Sequence, residues 1–79
     1  MKFSYYWYHF GMSYSTMESI EDAINDRNFN AFMKYKQKYP KNLPDTIAVF
    51  DDNYDIIDQL DVTDKNNFDK ITYSEHENG

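Results

Sequence analysis

The sequence predicts an α+β fold: a small antiparallel sheet of three or four strands with one long or kinked helix packed across it, in the order β(β)αββ. Three observations predict it. The chain opens on an aromatic run, KFSYYWYHF. A helix-start signal and an apolar stripe follow between Ser15 and Tyr39. Beyond Pro44, two short apolar runs flank the turn signal Asp51-Asp52-Asn53-Tyr54.

Lys2 to Phe10 reads as a strand, because aromatic side chains suit a pleated, half-buried surface. Phe3, Tyr5, Trp7 and His9 would share one face, and Ser4, Tyr6, Tyr8 and Phe10 the other. Neither face is polar. The expectation is therefore a central strand, or one with a face reserved for a partner. Gly11 punctuates the run, and Met12 to Ser15 is a candidate return strand.

Ser15-Thr16-Met17-Glu18 matches a capping box, with Ser15 as N-cap and Glu18 reaching back to its amide. Met17, Ile20, Ala23, Ile24, Ala31, Phe32, Tyr35 and Tyr39 recur at helical spacing. Lys34, Lys36, Lys38 and Lys41 sit at the far end, where the helix dipole favours positive charge. Pro40 and Pro44 stop the helix. The stripe is interrupted at Asp26-Arg27-Asn28, where the helix either kinks or divides. Thr46 to Asp51 then reads as a strand, and Tyr54 to Val62 as its return partner across a hairpin turn. The polar remainder, Thr63 to Gly79, predicts one short turn around Phe68 to Tyr73 and a mobile tail over 74–79.

The 79 residues make one domain, 1–79, of a size that buries only roughly 60–65% of its extended-chain surface. No cysteine is present, so neither a disulfide nor a thiolate metal site can staple it. Eight Tyr, six Phe, one Trp, four Met and six Ile supply the core instead. MKFSYYWYHF is too polar and too short for a signal peptide, and no run approaches the ~20 apolar residues of a membrane span. The expectation is a cytoplasmic protein of a bacterial host cell with no membrane partner, monomeric or weakly homodimeric.

Charge divides along the chain. Residues 1–44 carry six basic and four acidic side chains, net +2, whereas residues 45–79 carry two basic and ten acidic, net −8. Asp52, Asp55, Asp58, Asp61 and Asp64 fall at intervals of three. On a strand this spacing alternates the faces, with Asp52, Asp58 and Asp64 on one side and Asp55 and Asp61 on the other. Ile56, Ile57 and Leu60 would anchor the backbone. The acidic segment is then either an edge strand guarded by charge or a surface that meets a basic partner.

Other chemistry finds little support. Asp51, Asn53 and Asp55 match the first three ligand positions of an EF-hand loop. Ile56 then stands where that loop needs Gly, and Val62 where it needs a bidentate Glu, so no metal or other cofactor is expected. The histidines, His9 and His76, lie in an aromatic strand and in the tail, and no nucleophile-elbow or glycine-rich phosphate motif is present. No catalytic residue is assigned and no enzyme is expected. Exposed aromatics could stack bases, but a net charge of −6 repels a polyanion.

Asn, Lys, Tyr, Ile and Phe account for 35 residues, against 8 for Gly, Ala, Arg and Pro. This is the codon bias of an AT-rich genome. A small, acidic, Cys-free, Tyr- and Asp-rich chain of this kind resembles the phage and mobile-element inhibitors of nucleic-acid enzymes, including DNA mimics and anti-CRISPR proteins. The resemblance spans the composition of the whole chain and carries no motif, so no family residue transfers. It implies a non-catalytic inhibitor that occupies a basic nucleic-acid-binding site of a nuclease or CRISPR effector, without binding nucleic acid itself. Asp51, Asp52, Asp55, Asp58 and Asp61 would form the acidic surface, with Tyr54, Tyr6 and Tyr8 as aromatic anchors. The alternatives are a regulatory adaptor or antitoxin-type partner, and an aromatic-strand binder of single-stranded nucleic acid.

Overall fold

The computed structural model describes the backbone of residues 1–78 and the side chains of residues 1–71. Six elements follow in order: β1 (Lys2–Ser4), α1 (Tyr14–Asn25), α2 (Phe29–Lys38), β2 (Thr46–Phe50), β3 (Ile56–Asp61) and α3 (Lys65–Asn78). The fold is α+β, with an antiparallel three-stranded sheet in the order β1-β2-β3.

Register explains which face carries the helices. Ile47 pairs with Leu60, and Phe3 with Val49, so these four share one face. Ile47 and Val49 are buried there. Ile20, Ile24, Phe32, Leu43, Phe68 and Ile71 complete the core from the helical side. Lys2, Ser4, Thr46, Ala48, Phe50, Gln59 and Asp61 lie on the opposite face, where none is buried.

The opening strand is shorter than predicted and lies at an edge, not the centre. Ser4 pairs with Ala48, so a longer strand would set Tyr8 against Pro44. Proline has no N–H to give a ladder. The chain is instead held to residues 42–44. Tyr5 is buried and its hydroxyl donates to the Pro44 carbonyl at 2.7 Å. The buried Asn42 amide donates to the Tyr8 and Phe10 carbonyls at 2.7 and 2.9 Å. No strand forms over Met12 to Ser15. Gly11 takes a φ of 72°, and the chain passes straight into α1.

The N-cap of α1 is Ser13, two residues before the predicted Ser15, and its side chain accepts from the Thr16 N–H at 3.2 Å. Ser15 sits inside the first turn, with its carbonyl taken by Ser19. The stripe divides at Asp26-Arg27-Asn28. Asn28 N–H bonds Ala23 O at 2.9 Å and Arg27 N–H bonds Ile24 O at 3.1 Å, a Schellman ending with Arg27, at φ 56°, in the place usually held by glycine. Asn28 then caps α2 by accepting from the Ala31 N–H.

The β2–β3 hairpin forms where predicted, but the positive φ of its turn, 64°, falls on Tyr54 and not on Asp or Asn. A bulge follows, because Val49 pairs with Asp58 and Phe50 with Ile56. The short turn predicted around residues 68–73 is replaced by a helix, α3. Asp64 starts it by accepting from the Asn66 N–H, and Phe68 and Ile71 are fully buried. The predicted mobile tail, 74–79, lies outside the residues whose side chains are described.

Candidate binding surface

Six aspartates lie between Asp51 and Asp64, and four have a defined local task. Asp51 Oδ1 accepts from the Asn53 and Asp55 N–H groups at 2.9 and 3.0 Å and so holds the hairpin turn. Asp61 Oδ1 accepts from Thr63, at 2.9 Å from its N–H and 2.6 Å from its hydroxyl. These two bonds, with a smaller contribution from Lys36, hold the Asp61 carboxyl below the ordinary aspartate range. Asp64 caps α3. Three of these contacts run from an aspartate to the N–H two residues on, at Asn53, Thr63 and Asn66. Asp-x-Asn and Asp-x-Thr are Asx-turn signals, which the reading by intervals of three passed over.

Asp58 guards a strand edge. Val62 N–H bonds Asp45 O, so alternation turns the Gln59 and Asp61 amides away from β2. Asp58 Oδ1 accepts that Gln59 N–H at 2.7 Å, and the Asn67 amide takes the Asp61 carbonyl at 3.0 Å. The outer edge of β3 is thereby blunted against strand addition. Asp58 and Asp61 do lie on opposite faces, as their pairing with Val49 and Thr46 requires. The turn and the bulge take Asp52, Asp55 and Asp64 out of any simple alternation.

Asp52 and Asp55 remain, exposed at the hairpin tip. Beside them the predicted anchors Ile56 and Ile57 are 59% and 53% exposed, and of the three only Leu60 packs on the core. Tyr54 is 66% exposed. The tip is thus acidic and apolar together.

A second feature lies beside β1. Lys2, Tyr6, Trp7, His9, Phe50 and Tyr54 surround a recess of about 620 Å³. Lys2 Nζ bonds the Tyr54 hydroxyl and lies 3.9 Å from the centre of its ring, displaced toward that hydroxyl. The Trp7 and His9 rings lie 4.3 Å apart. Tyr6 also borders a shallow groove of about 180 Å³ on the open sheet face, shared with Tyr8, Pro44 and Gln59. The predicted anchors therefore divide: Tyr6 and Tyr54 line the recess, whereas Tyr8 faces the groove. Lys2 and Phe50 were not singled out from the sequence, and His9 was considered there only as a catalytic base, because only the fold brings the turn against β1.

Burial raises the Tyr5 phenol far above its usual range, with Asp45 adding to the effect, and that hydroxyl serves as a donor to backbone. Among the described residues no three His, Asp or Glu side chains converge as metal ligands, and no helix is long and apolar enough to cross a membrane. Comparison with protein-family models, curated proteins and solved structures finds no match to the chain.

Proposed function

We propose that this chain is a non-catalytic binding protein whose β2–β3 hairpin docks on a basic surface of another protein, of the kind that otherwise receives nucleic acid. The observation that carries the reading is the hairpin tip. Asp52 and Asp55 stand exposed beside Tyr54, Ile56 and Ile57, which are also exposed. Large apolar side chains are left in water at the very place where the charge is concentrated. Apolar area supplies affinity, a tyrosine is a favoured anchor, and the carboxylates raise the association rate and select a basic partner. The net charge of −8 over residues 45–79 extends the same field.

The test is competition with nucleic acid. A nuclease or CRISPR effector bound by this protein is challenged with its own DNA, and the two should exclude one another. A variant with Asp52, Asp55 and Asp58 all changed to Asn should associate more slowly while keeping its circular dichroism spectrum, with the difference shrinking as salt rises. Asn at position 58 still offers an oxygen to the Gln59 N–H, so the strand edge stays guarded. Simultaneous binding of DNA, or undiminished binding by the triple variant, refutes the reading.

A further inference from the structure

We infer that the recess beside β1 is a receptor for an arginine side chain of the partner, seated on the aromatic faces of Tyr54, Tyr6 and Trp7. The inference rests on the reading of a basic protein partner and adds where, and by which side chain, that partner is gripped.

The molecule supplies an example of the ligand. Lys2 places its ammonium 3.9 Å from the Tyr54 ring centre, closer than Lys70 approaches Phe3 or Lys38 approaches Tyr39, at 5.4 and 5.6 Å. Tyr54 therefore offers a cation seat at the hydroxyl side of its ring, filled here by a long, flexible side chain in an exposed contact. An incoming guanidinium suits it better. It is planar, weakly hydrated and able to stack on a ring while its edges donate hydrogen bonds. Glu21 stands in the wall of the recess as an acceptor for those edges. Two wall residues, Phe50 and Tyr54, flank the acidic turn residues Asp51 and Asp52 in the chain. The volume, about 620 Å³, suits side chains of an extended segment and not a whole element. Charge argues against a nucleic-acid strand. The wall carries one lysine and one glutamate, and the chain as a whole is at −6.

The experiment uses the whole chain, with short alternating Gly-Arg and Gly-Lys peptides of equal charge as probes and Trp7, the single tryptophan, as fluorescent reporter. The Gly-Arg peptide should bind about fivefold more tightly than its Lys counterpart, a ratio that general attraction to an acidic protein does not produce. Tyr6→Ala should abolish that ratio. So should Tyr54→Gly, which keeps the turn because glycine accepts its positive φ. Lys2→Ala empties the seat and should raise the affinity for Gly-Arg while preserving the ratio. The Asp52, Asp55 and Asp58 triple Asn variant should weaken both peptides and also preserve the ratio, which separates this site from the acidic hairpin. Equal affinity for the two peptides, a ratio that survives loss of both tyrosines, an unchanged or lower affinity in Lys2→Ala, or preferential quenching of Trp7 by oligothymidylate each overturns the inference.

Discussion

Replacing Phe68 with Ala tests whether α3 belongs to the core. Phe68 is fully buried, and its ring lies 4.8 Å from Phe32 and 5.4 Å from Phe29. Truncating a core phenylalanine costs about 3–5 kcal/mol, and loss of two aromatic contacts puts this site toward the upper end. A chain of 79 residues has only about 4–12 kcal/mol in total, at roughly 0.05–0.15 kcal/mol per residue. At about 4–8 °C per kcal/mol, the melting temperature should fall by at least ~12 °C, and the variant approaches full unfolding. Thermal denaturation followed by circular dichroism reads this directly. Phe68→Leu, which keeps most of the volume, should lose no more than about 1.5 kcal/mol. If Phe68→Ala melts within a few degrees of the parent, α3 does not close the core and the packing of Phe29, Phe32 and Phe68 described above is wrong.

Three further outcomes are expected. Asn28→Ala removes the cap of α2 and should cost about 1 kcal/mol, seen as a melting temperature lowered by about 4–8 °C. Asp61 should titrate by nuclear magnetic resonance below the ordinary aspartate value of ~3.9; its stabilising contribution is present above that value and is lost as pH falls through the depressed one, and Thr63→Ala should return the midpoint toward ordinary. Asp58→Ala, unlike Asp58→Asn, uncovers the Gln59 N–H, so light scattering should show concentration-dependent association of the Ala variant alone.

Local signals were legible where the structure depends on neighbours in sequence. The β2 run, the turn after it and the interruption at Asp26-Arg27-Asn28 all stand close to where they were read. What escaped depends on distant residues or on competing neighbours. Beyond Ser4 the chain is held by residues far away in sequence: Tyr5 donates to the Pro44 carbonyl, and the Asn42 amide donates to the Tyr8 and Phe10 carbonyls. Ser13, Ser15 and Thr16 are all credible caps, and the choice among them falls to Ser13 once the hydroxyls of Ser13 and Thr16 meet at 2.8 Å. Helix α3 was hidden because its start is rich in Asn, Asp and Lys. Phe68 and Ile71 are too sparse to make a stripe until Phe29 and Phe32 are brought against them. Trp7 shows the opposite error: expected in the core, it is only half-buried at its edge, so Trp7→Ala should cost about 1–2 kcal/mol and not the ~3–5 kcal/mol of a core aromatic.

The aspartates show why a pattern of charge is a poor guide to a surface until its hydrogen bonds are known. An interval of three suggests one cause, but the carboxylates answer several local demands. Asp51 shapes a turn, Asp61 bonds Thr63, Asp64 starts a helix and Asp58 closes an edge. Each uses one carboxylate oxygen on backbone and leaves its charge facing solvent, so structural use and acidity are compatible. Asn can replace such a group as an acceptor but not as a charge. Substitution by Asn therefore separates the two roles, and substitution by Ala confounds them. By that criterion Asp52 and Asp55 belong to the exterior, and the apolar side chains beside them carry more information than the charge itself. An acidic run keeps a chain in solution without any partner. Ile56 and Ile57, held outward at the bulge of a guarded strand, gain nothing from water, and burying them requires a second surface.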